Sequence, residues 1–199
     1  MFYGPPGTGK TSLANVLANE LKRSIYIMSF DISLSDGEFY KAIKNIHNTK
    51  SILLLEDIDC VFKDRNTGGA HISFSALLNV LDGVNYNETM ITILTTNYID
   101  LLDKALTRPG RIDIIIKFDI ITINQLNNLI ELYNLKIHND TLERMDIICK
   151  NNKLTAATIT SFLFFNRHKQ YTDKELINYF KLYIKEHINF VDENNPLCV

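Results

Sequence analysis

The chain has 199 residues, of which 46% are hydrophobic and 22% are charged, and its formal net charge is −2 at pH 7. This composition is ordinary for a globular protein and excludes wholesale disorder. No block of Lys and Arg indicates a nucleic-acid partner, so none is expected, and no apolar run approaches the roughly 20 residues of a membrane helix.

Residues 1–118 alternate between strand and helix patterns, which predicts an α/β domain with a parallel sheet and helices on both faces. Strands are predicted at 25–28, at 51–56, where the apolar run is continuous, at 90–96 and at 112–118. A helix from Lys10 is expected to bury Leu13, Val16, Leu17 and Leu21. A second helix follows the expected N-cap Asp36 and is expected to bury Phe39, Ile43 and Ile46. A third covers 74–81, after a predicted mobile loop at 62–71.

The pattern becomes helical after about Asp119. Helices are predicted at 124–135, 141–150, 155–166 and 173–189, which together form a small all-helical lid subdomain over residues 119–191. Residues 192–199 are polar and contain Pro196, so they are expected to be a flexible tail.

Residues 4–11, GPPGTGKT, fit the phosphate-loop pattern G-x-x-x-x-G-K-[ST] in full. The glycines let backbone N–H groups surround phosphate oxygens, and the following helix directs its positive end at the same anion. Lys10 is expected to bridge the β- and γ-phosphates, and the Thr11 hydroxyl to reach Mg²⁺. The residues expected to bind ATP are therefore Gly4, Pro5, Pro6, Gly7, Thr8, Gly9, Lys10, Thr11 and Ser12.

Such a loop follows a strand, yet only Met1–Phe2–Tyr3 precede it. The first strand is therefore predicted to be truncated. The chain is interpreted as a fragment of a longer protein, or as one that has lost upstream parts. Any membrane or targeting segment would lie in that missing portion.

The predicted strand 51–56 runs directly into Glu56 and Asp57. Carboxylates at the end of a buried strand are costly without a cation nearby, so Thr11, Glu56 and Asp57 are the expected Mg²⁺ ligands. By position, Glu56 should lie nearest the metal and Asp57 should activate the attacking water, with Asp59 assisting. The sequence leaves open which of Glu56 and Asp57 activates water.

Asn97 ends the next predicted strand, where a neutral amide can hold the attacking water. Arg108 and Arg111 flank a Pro-Gly turn downstream. An arginine suits the negative charge that develops on a transferring phosphoryl group. The expected catalytic residues are Glu56, Asp57, Asn97, Arg108 and Arg111.

The segments GPPGTGKTS, LLLEDID, TTN and LDKALTRPGRID resemble the AAA family of ATPases that carry the second region of homology. The swapped order in SILLLEDIDC, the run SFSALLNVLDGV and TTNYIDLLDKALTRPGRID are most similar to one branch. That branch contains the mitochondrial complex III (Rieske protein) assembly chaperones and their plant relatives. The resemblance covers nearly all of residues 1–190 and is strongest before Asp113.

The resemblance implies a Mg²⁺-dependent ATPase in a homo-oligomeric ring, hexameric or heptameric, in which Arg108 and Arg111 reach the neighbour's γ-phosphate. It implies a protein-remodelling or translocating chaperone whose client is unknown, and it makes the mitochondrial inner membrane a candidate location through a missing N-terminal segment. Residues 31–38, DISLSDGE, lack the aromatic pore loop of AAA unfoldases, and the helical part lacks a sensor arginine near Ala156.

Two other functions stay open from the sequence. A nucleic-acid-loading ATPase of the clamp-loader type would use the same loop, but would carry a basic element that the sequence lacks. A nucleotide-binding scaffold without turnover is opposed by the complete set of catalytic residue types.

Overall fold

The computed structural model describes residues 1–30, 34–46, 50–63, 72–82, 90–108 and 110–187. The predicted tail 192–199 and most of the predicted loop 62–71 lie outside the described residues. The chain divides into two compact units, Met1–Phe118 and Asp119–Val199.

The first unit contains a five-stranded parallel sheet in the order β2-β3-β4-β1-β5. The strands are β1 (Phe2–Tyr3), β2 (Ser24–Ser29), β3 (Ser51–Glu56), β4 (Ile91–Thr96) and β5 (Ile116–Lys117). In the described part of this unit, the helices between the strands are α1 (Lys10–Glu20), α2 (Asp36–Ile46), α3 (Cys60–Lys63) and α4 (Phe74–Leu81). A short 3₁₀ helix, Ile99–Leu101, follows β4. The predicted α/β class with a parallel sheet is confirmed.

Strand β3 is packed by helices on both faces of the sheet, because alternate side chains of a strand point to opposite faces. Ile52 and Leu54 pack in a cluster with residues of α1. Leu53 and Leu55 pack on the other face, in a cluster with residues of α2 and α4. Each fully buried Leu or Ile contributes about 1.5–3 kcal/mol. Helices on both faces therefore fix β3, whose end delivers Glu56.

The fifth strand is shorter than predicted, because residues 112–118 contain a strand only at Ile116–Lys117. Its register partners are the two residues of β1, Phe2 and Tyr3. A strand is defined by its ladder of hydrogen bonds, so β5 extends only as far as its neighbour does.

Helix α1 buries a different face from the one predicted. Its buried apolar residues are Ala14 and Ala18, whereas Val16 is 52% exposed and Leu21 is 50% exposed. Leu13 and Leu17 are only partly buried. The helix lies against the sheet through small side chains, so the larger apolar residues are left at its flanks and on its outer side.

The N-cap of α2 also differs from the prediction. Ser35 and Glu38 exchange hydrogen bonds across the first turn, Ser35 N–H donating to Glu38 Oε2 at 3.0 Å and Glu38 N–H to Ser35 Oγ at 3.4 Å. This capping box places the cap at Ser35. Asp36 instead accepts hydrogen bonds from the backbone N–H and hydroxyl of Ser73, which precedes α4. The predicted buried residues Phe39, Ile43 and Ile46 are confirmed.

The second unit is helical in its described part and consists of α5 (Ile123–Leu132), α6 (Asn139–Asn151), α7 (Ala156–Asn166) and α8 (Asp173–His187). A capping box between Thr122 and Gln125 starts α5. Phe162 of α7 and Phe180 of α8 are both fully buried, with ring centroids 4.9 Å apart. Within the described ranges no helix has the length and apolar character needed to cross a bilayer.

Candidate functional site

The phosphate loop connects β1 to α1, and three of its glycines, Gly4, Gly7 and Gly9, have a positive φ. Gly4 has φ +142°, and a Cβ there would lie 2.0 Å from the carbonyl oxygen of Phe118. Gly9, immediately before α1, has φ +100°. Side-chain-bearing residues rarely adopt such angles. These glycines therefore allow the chain to leave the sheet beside Phe118 and turn into the N-terminus of α1.

Lys10 is the first residue of α1 and is only 7% exposed. Its ammonium donates hydrogen bonds to the carbonyl oxygens of Gly4 at 2.7 Å and Pro5 at 3.0 Å, and to Asn97 Oδ1 at 2.7 Å. Burial lowers the pKa of Lys10, and the carboxylates of Asp57 and Asp59 partly oppose that shift. A buried cation held at the loop is suited to bind a polyphosphate.

Thr11 and Glu56 are brought into direct contact, with the Thr11 hydroxyl donating to Glu56 Oε1 at 2.5 Å. One oxygen comes from the start of α1 and the other from the end of β3. Mg²⁺ prefers oxygen ligands, and in phosphate sites it is held by one or two carboxylates together with the substrate phosphates. This donor set fits Mg²⁺ beside the phosphate loop.

Asp57 follows β3 in a left-handed backbone conformation, with φ +50°. Asp and Asn tolerate this conformation better than other side-chain-bearing residues do. Asp57 Oδ1 accepts a hydrogen bond from Asn97 Nδ2 at 3.1 Å. The Asn97 amide therefore joins Lys10, through its oxygen, to Asp57, through its nitrogen. Lys10, Asn97 and Asp57 thus form a row that is linked by two side-chain hydrogen bonds.

Asp59 does not lie where the sequence suggested. Asp59 is 2% exposed, and its carboxylate accepts hydrogen bonds from Thr96 Oγ1 at 2.8 Å and from the Asn97 N–H at 3.3 Å. It contacts the end of β4, and it is not among the residues that line the cavity. The contacts of Asp59 therefore do not indicate that it assists Asp57 directly in activating water.

A cavity lies at the phosphate loop, at the ends of β3 and β4. Most of the predicted site residues line it, together with Thr95: Pro6, Gly7, Gly9, Lys10, Thr11, Ser12, Glu56, Asp57 and Asn97. Gly4, Pro5 and Thr8 instead shape the loop, since the first two offer carbonyls to Lys10 and Thr8 Oγ1 donates to the Pro5 carbonyl at 2.7 Å.

The two predicted arginines do not line this cavity. Arg108 is exposed. Arg111 pairs with Asp82, which directly follows α4, and also donates to the Ala105 carbonyl at 2.8 Å. The hydrogen bonds between them raise the pKa of Arg111 and lower the pKa of Asp82. Pro109, between the arginines, lies outside the described residues.

Three contact residues were missed from the sequence. The Thr95 hydroxyl accepts the Asp57 N–H at 3.1 Å, the Thr96 hydroxyl donates to Asp59, and Asp82 binds Arg111. Two threonines directly before Asn97 were a usable signal for the first two contacts, because the strand end that carries Asn97 needs polar partners once it is buried. Asp82 gives no comparable local signal.

The model of the family described as "ATPase family associated with various cellular activities (AAA)" matches residues 1–120. A Dictyostelium discoideum protein named "Probable mitochondrial chaperone BCS1-A" is 39% identical over 174 residues, 82% of the chain and 41% of that relative. The human "Mitochondrial chaperone BCS1" is 43% identical over 124 residues, 57% of the chain and 29% of that relative. An Arabidopsis thaliana AAA-ATPase is 35% identical over 158 residues, 67% of the chain and 33% of that relative.

These relatives are the BCS1 chaperones and plant ATPases of the branch that the sequence resembles, so the predicted branch is confirmed. The chain spans less than half the length of each of these relatives.

Proposed function

Because the chain belongs to the ATPase family associated with various cellular activities (AAA), we propose that it binds ATP with Mg²⁺ and hydrolyses it to ADP and phosphate. The observation that carries the proposal is the row formed by Lys10, Asn97 and Asp57 beside the phosphate loop. The Asn97 amide in this row is hydrogen-bonded both to the cation that would bind phosphate and to the carboxylate that would act as base.

The contacts of these residues support the role that we propose for each. The backbone N–H groups at the start of α1 and the ammonium of Lys10 bind the phosphates. Thr11 and Glu56 would hold Mg²⁺, which when bound withdraws charge from the phosphate oxygens. Asp57 then takes a proton from the water that attacks the γ-phosphorus. The bond from that phosphorus to the β–γ bridging oxygen breaks, and ADP leaves with that oxygen.

We propose that Asn97 has two tasks in this step. Its amide keeps the Asp57 carboxylate aligned, and it can hold the attacking water without adding a charge. This assignment makes Glu56 the metal residue and Asp57 the base. The contact of Glu56 with Thr11 and the contact of Asp57 with Asn97 support it.

We propose further that a second copy of the chain completes the site, in a homo-oligomeric ring of six or seven subunits. Among the described residues that line the cavity, Lys10 is the one cation. Arg108 is exposed and does not line the cavity of its own subunit, so it is available to a neighbour's γ-phosphate. An arginine supplied in trans contributes about 10³–10⁵ in rate.

The cellular role that we propose is that of a protein-remodelling or translocating chaperone at the mitochondrial inner membrane. It rests on the relatives named as mitochondrial chaperones, over the part of their length that this chain matches.

The ATPase proposal is tested by measuring the hydrolysis rate of the full chain against its concentration, with Mg²⁺ present. A rate that rises more than linearly is expected, because the site needs two copies. Lys10→Ala should abolish nucleotide binding, whereas Lys44→Ala, an exposed lysine of α2, should leave the rate unchanged. A wild-type rate at background would overturn the proposal.

A further inference from the structure

We infer that Asp59 is a positioning residue for ATP hydrolysis, acting through the backbone at Asn97. This inference rests on the proposed ATPase function and adds a residue that neither the phosphate loop nor the acidic pair contains. Asp59 does not line the cavity, so any influence on the reaction must pass through a neighbour.

The contacts of Asp59 lie on both sides of the peptide that carries Asn97. Its Oδ1 accepts the Asn97 N–H at 3.3 Å and the Thr96 hydroxyl at 2.8 Å. The Thr96 hydroxyl in turn accepts the Tyr98 N–H at 3.1 Å. The N–H groups of Asn97 and of the residue after it are therefore both tied to the pair formed by Asp59 and Thr96.

Burial makes this arrangement restrictive. Asp59 is 2% exposed and Thr96 is fully buried. A buried carboxylate is costly unless it is hydrogen-bonded, so these groups have few alternative partners and the end of β4 is held in one conformation. The direction in which the Asn97 side chain leaves the backbone is fixed as a result.

The same turn also fixes Asp57 relative to Asn97. The Asp57 N–H donates to Thr95 Oγ1 at 3.1 Å, and the Ile58 N–H donates to the Thr95 carbonyl at 3.0 Å. Each residue of the turn from Asp57 to Asp59 is thus hydrogen-bonded to the end of β4. Asp59 supplies the contact that reaches the Asn97 peptide itself, and so it sets the distance between the amide and the base.

The test compares Asp59→Ala, Thr96→Val and Asn97→Ala with the double variant Asp59→Ala/Asn97→Ala, in the full chain. The measurements are kcat for ATP hydrolysis, the dissociation constant of ATP and the melting temperature. Asp59→Ala is expected to lower kcat by about 10- to 100-fold, because small misplacements of a catalytic group cost that much. The ATP dissociation constant should change by less than about twofold, because Asp59 does not touch the phosphate loop.

The double variant separates positioning from general structural damage. If Asp59 acts through Asn97, the double variant should be no slower than Asn97→Ala alone. Asp59→Asn, which keeps an acceptor oxygen, should recover most of the lost rate. Asp100→Ala, an exposed aspartate in the 3₁₀ helix after β4, serves as the matched control and should leave kcat unchanged.

Two outcomes would overturn the inference. One is an unchanged kcat in Asp59→Ala. The other, with an active wild type, is a loss of kcat in the double variant equal to the product of the losses in the two single variants. If Asp59→Ala does not fold, Thr96→Val carries the test, since it removes the hydrogen bond from Thr96 to Asp59, and its loss of kcat should likewise vanish when Asn97→Ala is already present. A wild-type rate at background would overturn the proposed ATPase itself, and so the two failures are distinguishable.

Discussion

Arg111 and Asp82 form a two-pronged ion pair, with the guanidinium Nε 2.5 Å and Nη2 2.7 Å from the two carboxylate oxygens. A third bond runs from Arg111 Nη1 to the Ala105 carbonyl. Such planar, bidentate contacts fix an arginine in orientation as well as in position. The sequence pattern treats Arg108 and Arg111 alike, but in the structure Arg111 is bound within its own unit while Arg108 is exposed.

This difference predicts different phenotypes for the two arginines. Arg108→Ala should lower kcat by about 10³-fold or more while leaving the melting temperature unchanged, because it removes only a charge offered to a neighbour. Arg111→Ala should lower the melting temperature of the first unit, and Asp82→Ala should lower it by a similar amount. The double variant Asp82→Ala/Arg111→Ala should add little to either. ATPase assays and thermal unfolding of the four variants check this, and a wild-type kcat in Arg108→Ala would contradict it.

The acidic pair is expected to divide its roles. Asp57→Asn should bind ATP normally and hydrolyse it at least about 10²-fold more slowly, because it loses the base while Asn tolerates the left-handed backbone there. Glu56→Gln should instead weaken the dependence of nucleotide binding on Mg²⁺, since it removes a metal oxygen. Isolating each variant after incubation with ATP and measuring the bound nucleotide distinguishes them. Trapped ATP in Glu56→Gln but not in Asp57→Asn would reverse the assignment.

The features that could be predicted from sequence are those in which neighbouring residues determine the structure. The phosphate loop has fixed spacings from Gly4 to Thr11, and the continuous apolar run Ser51–Glu56 forms a buried strand with those bounds. The buried face of α1 differs from the predicted one because it depends on how closely the helix approaches the sheet. The small side chains of Ala14 and Ala18 permit a close approach. A prediction from hydrophobicity alone selects the larger apolar residues beside them as the buried ones.

The contacts between distant segments could not be predicted in the same way. Asp59 and Thr96 are 37 residues apart, and Asp82 and Arg111 are 29 residues apart. Which residues face each other at the ends of β3 and β4 depends on the strand register, and that register is determined by packing on both faces of the sheet. A single sequence shows that suitable donors and acceptors are present, but it does not show which of them bind each other.

The buried Lys10 predicts a pH dependence of stability. Its folded-state pKa is lowered by burial, so between that value and the unfolded value the unfolded chain binds more protons. The stability of the nucleotide-free protein should therefore rise as pH rises through this window. Lys10→Met lacks the titrating group, so the stability of the wild type relative to Lys10→Met should increase toward alkaline pH. Urea unfolding of both proteins from pH 7 to pH 10 measures the difference, and a decrease over that range would contradict the prediction.

Gly4 predicts a strong stability effect that does not depend on catalysis. A Cβ at this position would overlap the Phe118 carbonyl oxygen, and the positive φ is also unfavourable for alanine. Gly4→Ala should therefore lower the free energy of unfolding by about 2 kcal/mol or more, since both strain and overlap must be relieved by moving backbone. Gly37→Ala is a suitable control because open space surrounds that position. Equal melting temperatures for the two variants would show that the loop geometry is wrong.

The most direct test of the shared ATPase site is to mix two inactive variants. Lys10→Ala cannot bind ATP but still offers Arg108, and Arg108→Ala binds ATP but offers no arginine. Each variant alone should hydrolyse ATP at background, and their mixture should recover a substantial fraction of the wild-type rate, because some interfaces then join an intact loop to an intact arginine. A mixture that stays at background beside an active wild type, or an Arg108→Ala variant that is active alone, would contradict a site completed by a neighbouring subunit.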